Sequence, residues 1–453
     1  MVKPPNQVSS SDRELERITT LQRTGQLSEA LAACRSYLAS KPARPDVLAL
    51  AGALSLKLGD LTGAEAAYRG ALALKPSFAE AHFNLGNVLV KLGRHAEAAA
   101  AFGRTLELNP ALVVAHNNLG NALYELGEHL EASASFRRAL QLEPNTAHLH
   151  RNLGTALHAL GESPAALQAF QQAVTLKPGS PKELQSLASA ALECGEWQLA
   201  ARTCTTWLKH SPANVEALGL ASIALQELGK PEAAHALLDL DRMVQVIQLT
   251  APPAGFSSVS DFNAALARHA LEHPTLTVPA RADARTELSR LAAIYACPTL
   301  RITEEFCADE GASAVLRGLV GAALEGYLAN LARTLPGHPF MIGAPQRLRL
   351  RSWAAVLDRE GSLESHAHYG SRVSMVYYAQ IPGEMRGESE SAGYFEFGGG
   401  PSRYPCRVTP RVRTIQPRAG MLLLFPSYFY HRTVPFNAPE ERISIAFDAE
   451  PVA

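Results

Sequence analysis

The sequence predicts two architectures in one chain: an all-α array of repeated helix pairs, then a β-domain of jelly-roll type braced by helices. Three observations carry this reading. Glycines recur every 34 residues (25, 59, 93, 127, 161, 195 and 229), and prolines keep the same interval (42, 76, 110, 144, 178 and 212). From residue 345 the pattern changes to short β-branched and aromatic runs separated by Gly/Pro turns. His366, His368, His431 and Arg442 all fall within that second pattern.

Bulk composition narrows the possibilities. A chain of 453 residues is too long for one ordinary core, so two or three domains are expected. Forty-two basic and 43 acidic residues nearly cancel, which offers no global field for nucleic acid or a membrane surface. Six cysteines (34, 194, 204, 297, 307 and 406) lack CxxC spacing and read as plain thiols in a reducing compartment. Residues 1–14 form a polar tail without an apolar signal region, and no later run is apolar enough to span a bilayer. The expectation is a soluble, cytoplasmic protein with no membrane or nucleic-acid partner.

Residues 15–242 carry the repeats. In a unit such as Ala79–Leu112, two apolar-periodic segments flank Leu92-Gly93-Arg94, where the glycine suits the end of the first helix. The proline closes the second helix. Small residues recur at Gly86, Gly120 and Gly154 and at Ala98, Ala132 and Ala166, with Phe102, Phe136 and Phe170 four residues further on the same face. One helix pair cannot bury its apolar face alone, so neighbours must stack. This pattern resembles the tetratricopeptide repeat, in about six units. The resemblance implies a right-handed superhelix with a concave groove that often binds peptide; a spacer or a homodimer contact is the plainer alternative. Asn84, Asn118 and Asn152 share one position of successive units, and Asn87 and Asn121 share another. Side-chain amides both donate and accept, which suits an extended peptide in the groove; buried or capping asparagines explain the same pattern. His82, His116, His148 and His150 read as helix-face residues. The last unit is degraded, and Met243–Leu249 looks like a strand.

Residues 243–345 read as mostly helical support for a β-core over 346–449. A helix is expected over 259–268 with Ser260 as cap, another opening at Thr303 with Glu304 and Glu305 in its first turn, and a long one over about 311–335. Residues 273–300 are ambiguous. Strands are expected at 347–357, 372–379, 393–398, 412–416, 421–425 and 442–447, with a polar loop at 383–391 that is either a lid or a solvent-facing turn.

His366 and His368 stand two apart, so on a strand both face one side and both can reach one metal ion. His431 comes from a separate segment. Together with Ser374-Met-Val-Tyr-Tyr378, Gly420-Met-Leu-Leu-Leu-Phe-Pro-Ser427 and Arg442-Ile-Ser-Ile-Ala-Phe447, these residues resemble the Fe(II)/2-oxoglutarate-dependent oxygenases. The resemblance implies a double-stranded β-helix (a jelly-roll or cupin-like barrel) that uses Fe(II), 2-oxoglutarate and O₂. His366 and His431 would be iron ligands. His368 stands where the superfamily usually carries a carboxylate, so the third ligand is His368, or Glu396 or water. Arg442 would hold the distal carboxylate of 2-oxoglutarate in a bidentate fork, with Ser444, Tyr378 and Ser374 beside it; a salt bridge to Glu440 or Glu441 is the alternative. Tyr430, Arg432 and Arg372 are rim candidates without an assigned role. The implied activity is hydroxylation of a residue in a protein or peptide held by the repeats. A small-molecule hydroxylase and a non-catalytic metal-binding scaffold are the other readings.

Overall fold

The computed structural model describes residues 10–278, 300–307, 310–343, 347–358, 360–401 and 403–452. Residues 1–9 of the expected tail, the ambiguous stretch 279–299 and Cys297 lie outside the described residues. Two compact units divide the chain, Met1–Ser186 and Leu187–Ala453.

The first unit is a helical array: α1 (Ser10–Arg23), α2 (Leu27–Ser40), α3 (Pro45–Lys57), α4 (Leu61–Leu74), α5 (Ala79–Lys91), α6 (His95–Leu108), α7 (Val113–Glu125), α8 (His129–Leu142), α9 (Ala147–Ala159), α10 (Ser163–Leu176) and the start of α11 (Pro181–Glu193). The first helix thus opens inside the stretch read as a polar tail. The 34-residue period is visible in the backbone. Gly93 takes φ 71°, the left-handed value that ends α5 and that glycine adopts without cost. Behind that turn Arg94 N donates to Leu89 O at 2.9 Å. Gly120 of α7 meets the Phe136 ring so closely that an added Cβ would lie 2.6 Å from it. The same close approach recurs at Gly86 with Phe102 and at Gly154 with Phe170. Three of the helix-face histidines also repeat one contact: His82, His116 and His150 hydrogen-bond through Nε2 to the carbonyls of Pro76, Pro110 and Pro144 at 2.9, 2.9 and 2.7 Å.

Among the described residues the second unit contains α12 (Trp197–His210), α13 (Val215–Glu227), α14 (Pro231–Leu237), α15 (Leu240–Met243), α16 (Val259–Leu271) and α17 (Gly311–Thr334), with ten strands. These are β1 (Gln245–Gln248), β2 (Leu300–Ile302), β3 (Leu348–Leu357), β4 (Glu360–His366), β5 (Val373–Gln380), β6 (Phe395–Phe397), β7 (Arg413–Ile415), β8 (Met421–Pro426), β9 (His431–Asn437) and β10 (Arg442–Pro451). Val215 and Leu218 of α13 share one core with Phe262 and Leu266 of α16, Leu316 and Val320 of α17, and Ile443, Ile445 and Phe447 of β10. Two hydroxyls tie this core to the preceding helices: Tyr327 donates to Met243 O and Tyr428 to Leu237 O, both at 2.7 Å.

The expected double-stranded β-helix barrel is corrected here. All strand pairings are antiparallel, within two open sheets of order β1-β8-β5-β10-β3-β2 and β4-β9-β6-β7. Among the described residues neither sheet closes on itself or on the other. The strand pattern could not distinguish the two cases. Alternating burial records that one sheet face is covered, and covering by a second sheet gives the same alternation as closure into a barrel. Two local expectations also change. Ser258, not Ser260, caps α16, accepting from Asp261 N at 3.0 Å. Thr303 opens no helix; its Oγ1 accepts from Ala354 N at 2.9 Å, extending the edge where β2 meets β3.

Candidate metal centre

His366 ends β4, and its cross-strand partner on β9 is His431. The two rings sit with centroids 4.3 Å apart. His368, just beyond β4, is held by its backbone N–H, which donates to Ser427 O at 2.8 Å. Its ring centroid lies 5.1 Å from that of His366 and 5.3 Å from that of His431. One ring nitrogen from each histidine falls within 4.8 Å of the other two, so the three can reach a common ion.

The hydrogen bonds fix which nitrogen is offered. The Nδ1 atoms of His366, His368 and His431 lie 2.7, 2.8 and 2.9 Å from Glu364 O, Asp448 Oδ2 and Phe429 O. Each of these oxygens only accepts when the carboxylate is ionised, so each Nδ1 carries a hydrogen and Nε2 is the nitrogen each ring can offer to a metal. His368 Nε2 is buried with no hydrogen-bond partner. Burial and the neighbouring His368 push the His366 pKa down to about 3, and burial with the other two imidazoles pushes His431 well below its ordinary value. Both are therefore neutral near pH 7, the form that binds a metal. Phe395 stacks on His431 at 5.2 Å and Phe425 meets it edge-on at 4.9 Å, which excludes water from that side. A buried ring nitrogen without a hydrogen-bond partner, in a three-imidazole cluster, fits a transition-metal ion.

The sequence did not point to Asp448. It lies on β10 in the other sheet, on the same strand face as Arg442 and Ser444. Besides His368, it accepts from Ser374 Oγ at 2.6 Å. Burial opposes its ionisation, but His368 and the serine donors hold its pKa below the usual carboxylate value. The signal that would have found it is the period of two along β10, counted on from Arg442. Glu396 does not join the histidines. Its strand neighbours Phe395 and Phe397 face His431, so Glu396 faces away and accepts from Arg432 Nε at 2.6 Å.

His366, His368, His431, Ser374, Arg442 and Ser444 line one cavity of about 30 Å³. This is small, and an anion the size of 2-oxoglutarate enters only if lining side chains move. Arg442 is 2% exposed. Its Nη1 donates to Gly393 O at 2.7 Å, and its Nε is buried without a partner. The guanidinium lies 5.1 Å from the Tyr378 ring centre, and burial lowers its pKa. No carboxylate pairs with it among the described residues: Glu441 is bonded to Arg301, and Glu440 is exposed. A buried cation left in this way is costly unless an anion comes to it. Tyr377 faces the opposite way and donates to Asn263 Oδ1 at 2.6 Å. Arg372 is also buried, against the Phe340 ring at 4.2 Å, and does not line the cavity.

In the first unit the asparagines bond one another. Asn118 Nδ2 donates to Asn87 Oδ1 and Asn152 Nδ2 to Asn117 Oδ1, each at 2.9 Å, and Asn152 also reaches Asn121 Oδ1 at 3.4 Å. Asn84 stands one turn before Asn87 on α5. A second group able to hold an ion, His235, Asp239 and Asp241, is already neutralised: Asp239 pairs with Arg242 at 2.5 Å and Asp241 with Arg411 at 2.7 Å.

Residues 351–448 match the family described as "Putative 2OG-Fe(II) oxygenase". Residues 50–112 and 117–181 match the tetratricopeptide repeat. No curated protein matches the chain. Similar solved structures include MamA (25% identity over 35% of this chain and 94% of that one, TM-score 0.34). They also include YrrB, described as a TPR protein with an unusual peptide-binding site (23%, 38% and 89%, TM-score 0.35), and PilF of Pseudomonas aeruginosa (23%, 44% and 90%, TM-score 0.37). The chain thus carries an N-terminal tetratricopeptide-like helical repeat region and a C-terminal 2OG-Fe(II) oxygenase-like domain with a candidate metal-binding cluster. No helix among the described residues is long and apolar enough to cross a membrane.

Proposed function

We propose that the chain is an Fe(II)/2-oxoglutarate-dependent dioxygenase that hydroxylates a residue of a protein or peptide bound by the repeat groove. The supporting observation is the pairing, in one cavity, of three imidazoles (His366 and His431 buried, His368 partly so) with a buried arginine that has no carboxylate of its own among the described residues. His366, His368 and His431 would hold Fe(II), and Arg442 would take the distal carboxylate of 2-oxoglutarate, with Ser444 and Tyr378 beside it. Three protein ligands leave room in the metal's shell for a co-substrate and oxygen. When bound, the iron supplies activation of O₂.

The overall reaction balances as substrate C–H + O₂ + 2-oxoglutarate giving substrate C–OH + succinate + CO₂. Oxidative decarboxylation supplies two electrons and the C–H bond the other two, which together reduce both oxygen atoms. The chain's own part is to bind, orient and exclude water. Asp448 keeps the His368 hydrogen on Nδ1, the carbonyls of Glu364 and Phe429 do the same for His366 and His431, and Phe395 and Phe425 keep the His431 side dry. In the groove, Asn84, Asn87, Asn118, Asn121 and Asn152 would meet the peptide backbone with the donors and acceptors not spent on one another.

The test is succinate formation from 2-oxoglutarate with Fe(II), with and without peptide. Wild type is expected to turn over 2-oxoglutarate, and His431→Ala to fall to background with an unchanged far-UV spectrum. Turnover at the wild-type rate in His431→Ala would sink the reading. Loss of peptide capture in an Asn84/Asn118/Asn152→Ala triple variant tests the groove.

A further inference from the structure

Thr433, on β9, is a buried hydroxyl with nothing to bond. It is 1% exposed, and its Oγ1 has no hydrogen-bond partner among the described residues. Its cross-strand partners are Leu363 on β4 and Phe395 on β6, both apolar. Valine has the same shape and would pack there with no hydroxyl left unanswered, so packing does not account for the oxygen. The pairing also fixes where the side chain faces. Phe395 stacks on His431, two residues before Thr433, and Thr433 and His431 both line the metal cavity. Arg432, between them on the strand, is exposed.

Arg442 is brought to the same strand. Gly393 O accepts from Arg442 Nη1 at 2.7 Å, and Gly393 N donates to Val434 O at 3.1 Å. The guanidinium carbon lies 5.9 Å from the centre of the Phe436 ring. Along β9 the order is therefore His431 in the histidine cluster, Thr433, then Phe436 beside Arg442. Arg442 lines the same cavity, and its buried Nε has no partner. A guanidinium only donates, so it offers the Thr433 hydroxyl hydrogen no acceptor. A carboxylate has two accepting oxygens and can answer the Nε–H and the hydroxyl together; an apolar chain end answers neither. The threonine side chain is stiff at χ1, so its oxygen is held in place for such a contact.

We propose that Thr433 donates its hydroxyl hydrogen to the anion that Arg442 holds, and that it makes the cavity select a 2-oxo acid ending in a second carboxylate. This rests on the oxygenase reading above and adds to it a binding residue and a basis for choosing among 2-oxo acids. A guanidinium alone attracts any anion. A neutral donor beside it adds strength only where the anion has a further oxygen to accept. The selection acts at the acid's far end, so it is separable from the grip of the metal on the 2-oxo acid end.

The test is calorimetric titration of the full chain, loaded with Mn(II) so that no turnover intervenes, with two acids. One is 2-oxoglutarate; the other is 2-oxopentanoate, which keeps the 2-oxo acid end and carries a methyl group in place of the distal carboxylate. Wild type is expected to bind 2-oxoglutarate more tightly. Thr433→Val, which keeps the shape and removes the hydroxyl, is expected to lose affinity for 2-oxoglutarate by roughly 10- to 100-fold. Its affinity for 2-oxopentanoate should match wild type, and its melting temperature should hold or rise. Thr433→Ser should restore most of the lost affinity. Thr433→Ala removes the hydroxyl without a new contact and takes the place of the valine variant if that one does not fold. The proposal is overturned if a folded hydroxyl-free variant binds 2-oxoglutarate as wild type does, if it loses affinity for both acids alike, or if a folded Thr433→Ser restores nothing. In each of these cases a wild type that prefers 2-oxoglutarate leaves the oxygenase reading standing. If wild type binds neither acid, or does not distinguish them, Arg442 holds no carboxylate, the oxygenase reading has failed, and the assignment of Thr433 falls with it.

Discussion

The repeat region and the β-domain treat polar groups in opposite ways. In the repeats, polar side chains largely answer one another. Asparagines bond asparagines of the next unit, histidines bond proline carbonyls one unit after another, and Arg69, Arg94, Glu65 and Glu97 form a surface ion network. The orphaned atoms there, such as Tyr68 Oη and His129 Nδ1, are scattered. In the β-domain, His368 Nε2, Trp353 Nε1, Thr433 Oγ1 and Arg442 Nε are buried without partners and belong to residues lining one cavity, while Gln245, His338, Arg372 and Tyr378 carry others outside it. Unanswered buried polar atoms are costly, so their convergence marks a place shaped for something else to supply the partner.

The strongest way to break the contrast is at Arg442. Arg442→Met replaces an uncompensated buried cation with an apolar side chain of similar length. Succinate formation is expected to fall to background, while the thermal midpoint holds or rises. A sharp drop in midpoint with activity retained would mean that Arg442 is structural. Arg442→Lys keeps the charge but not the fork and should raise the KM for 2-oxoglutarate by about 10- to 100-fold.

Next in size is Asp448. If the carboxylate fixes the His368 tautomer, Asp448→Asn weakens metal affinity by roughly 10- to 100-fold while leaving the fold intact. Titration with Co(II), followed through its visible absorption, reads this directly and independently of turnover. An unchanged affinity and spectrum would detach Asp448 from the centre.

How much of this was legible in the sequence differs between the two regions for a physical reason. The repeat helices follow from local signals, because the glycine turn, the closing proline and the small-residue contacts are all set within one or two units of chain. The candidate cluster was also suggested locally, because His366-Ala-His368 and His431 are type-restricted residues in strand context. What was not legible depends on pairing between distant strands. Asp448 joins His368 only because β10 of one sheet faces the end of β4 of the other, and Glu396 leaves the cluster because β6 presents its aromatic residues instead. Sheet closure was illegible for the same reason. The caps were missed by small shifts: Ser258 and Ser260 are equally good chemistry, and only the backbone decides between them.

The close glycine contacts give a smaller effect, confined to the scaffold. In Gly120→Ala the new Cβ would stand 2.6 Å from the Phe136 ring, whereas in Gly103→Ala it meets nothing within 4 Å. Overpacking costs about 1–3 kcal/mol, against a helix-propensity gain of about 1 kcal/mol. Gly120→Ala is therefore expected to lower the melting temperature and Gly103→Ala to raise it. Equal shifts of the same sign would show that the ring simply moves aside, and that the recurring glycines are a matter of backbone propensity and not of packing.

The smallest effect lies in the surface network. Hydrogen bonds from Arg69, and then from Arg94, hold the Glu65 carboxyl below its ordinary value against the opposing effect of burial. A carboxyl with a depressed folded-state pKa contributes stability above its unfolded value and loses it as pH falls through the folded one. Glu65→Gln should thus be slightly less stable than wild type near neutral pH and indistinguishable from it in acid, with the difference shrinking as salt is added. Because the arginines are partly exposed, the gap is small, and parallel melts of the two proteins across pH are needed to resolve it. A gap that persists in acid would assign the loss to packing, and the repeat region would then depend on these side chains for shape more than for charge.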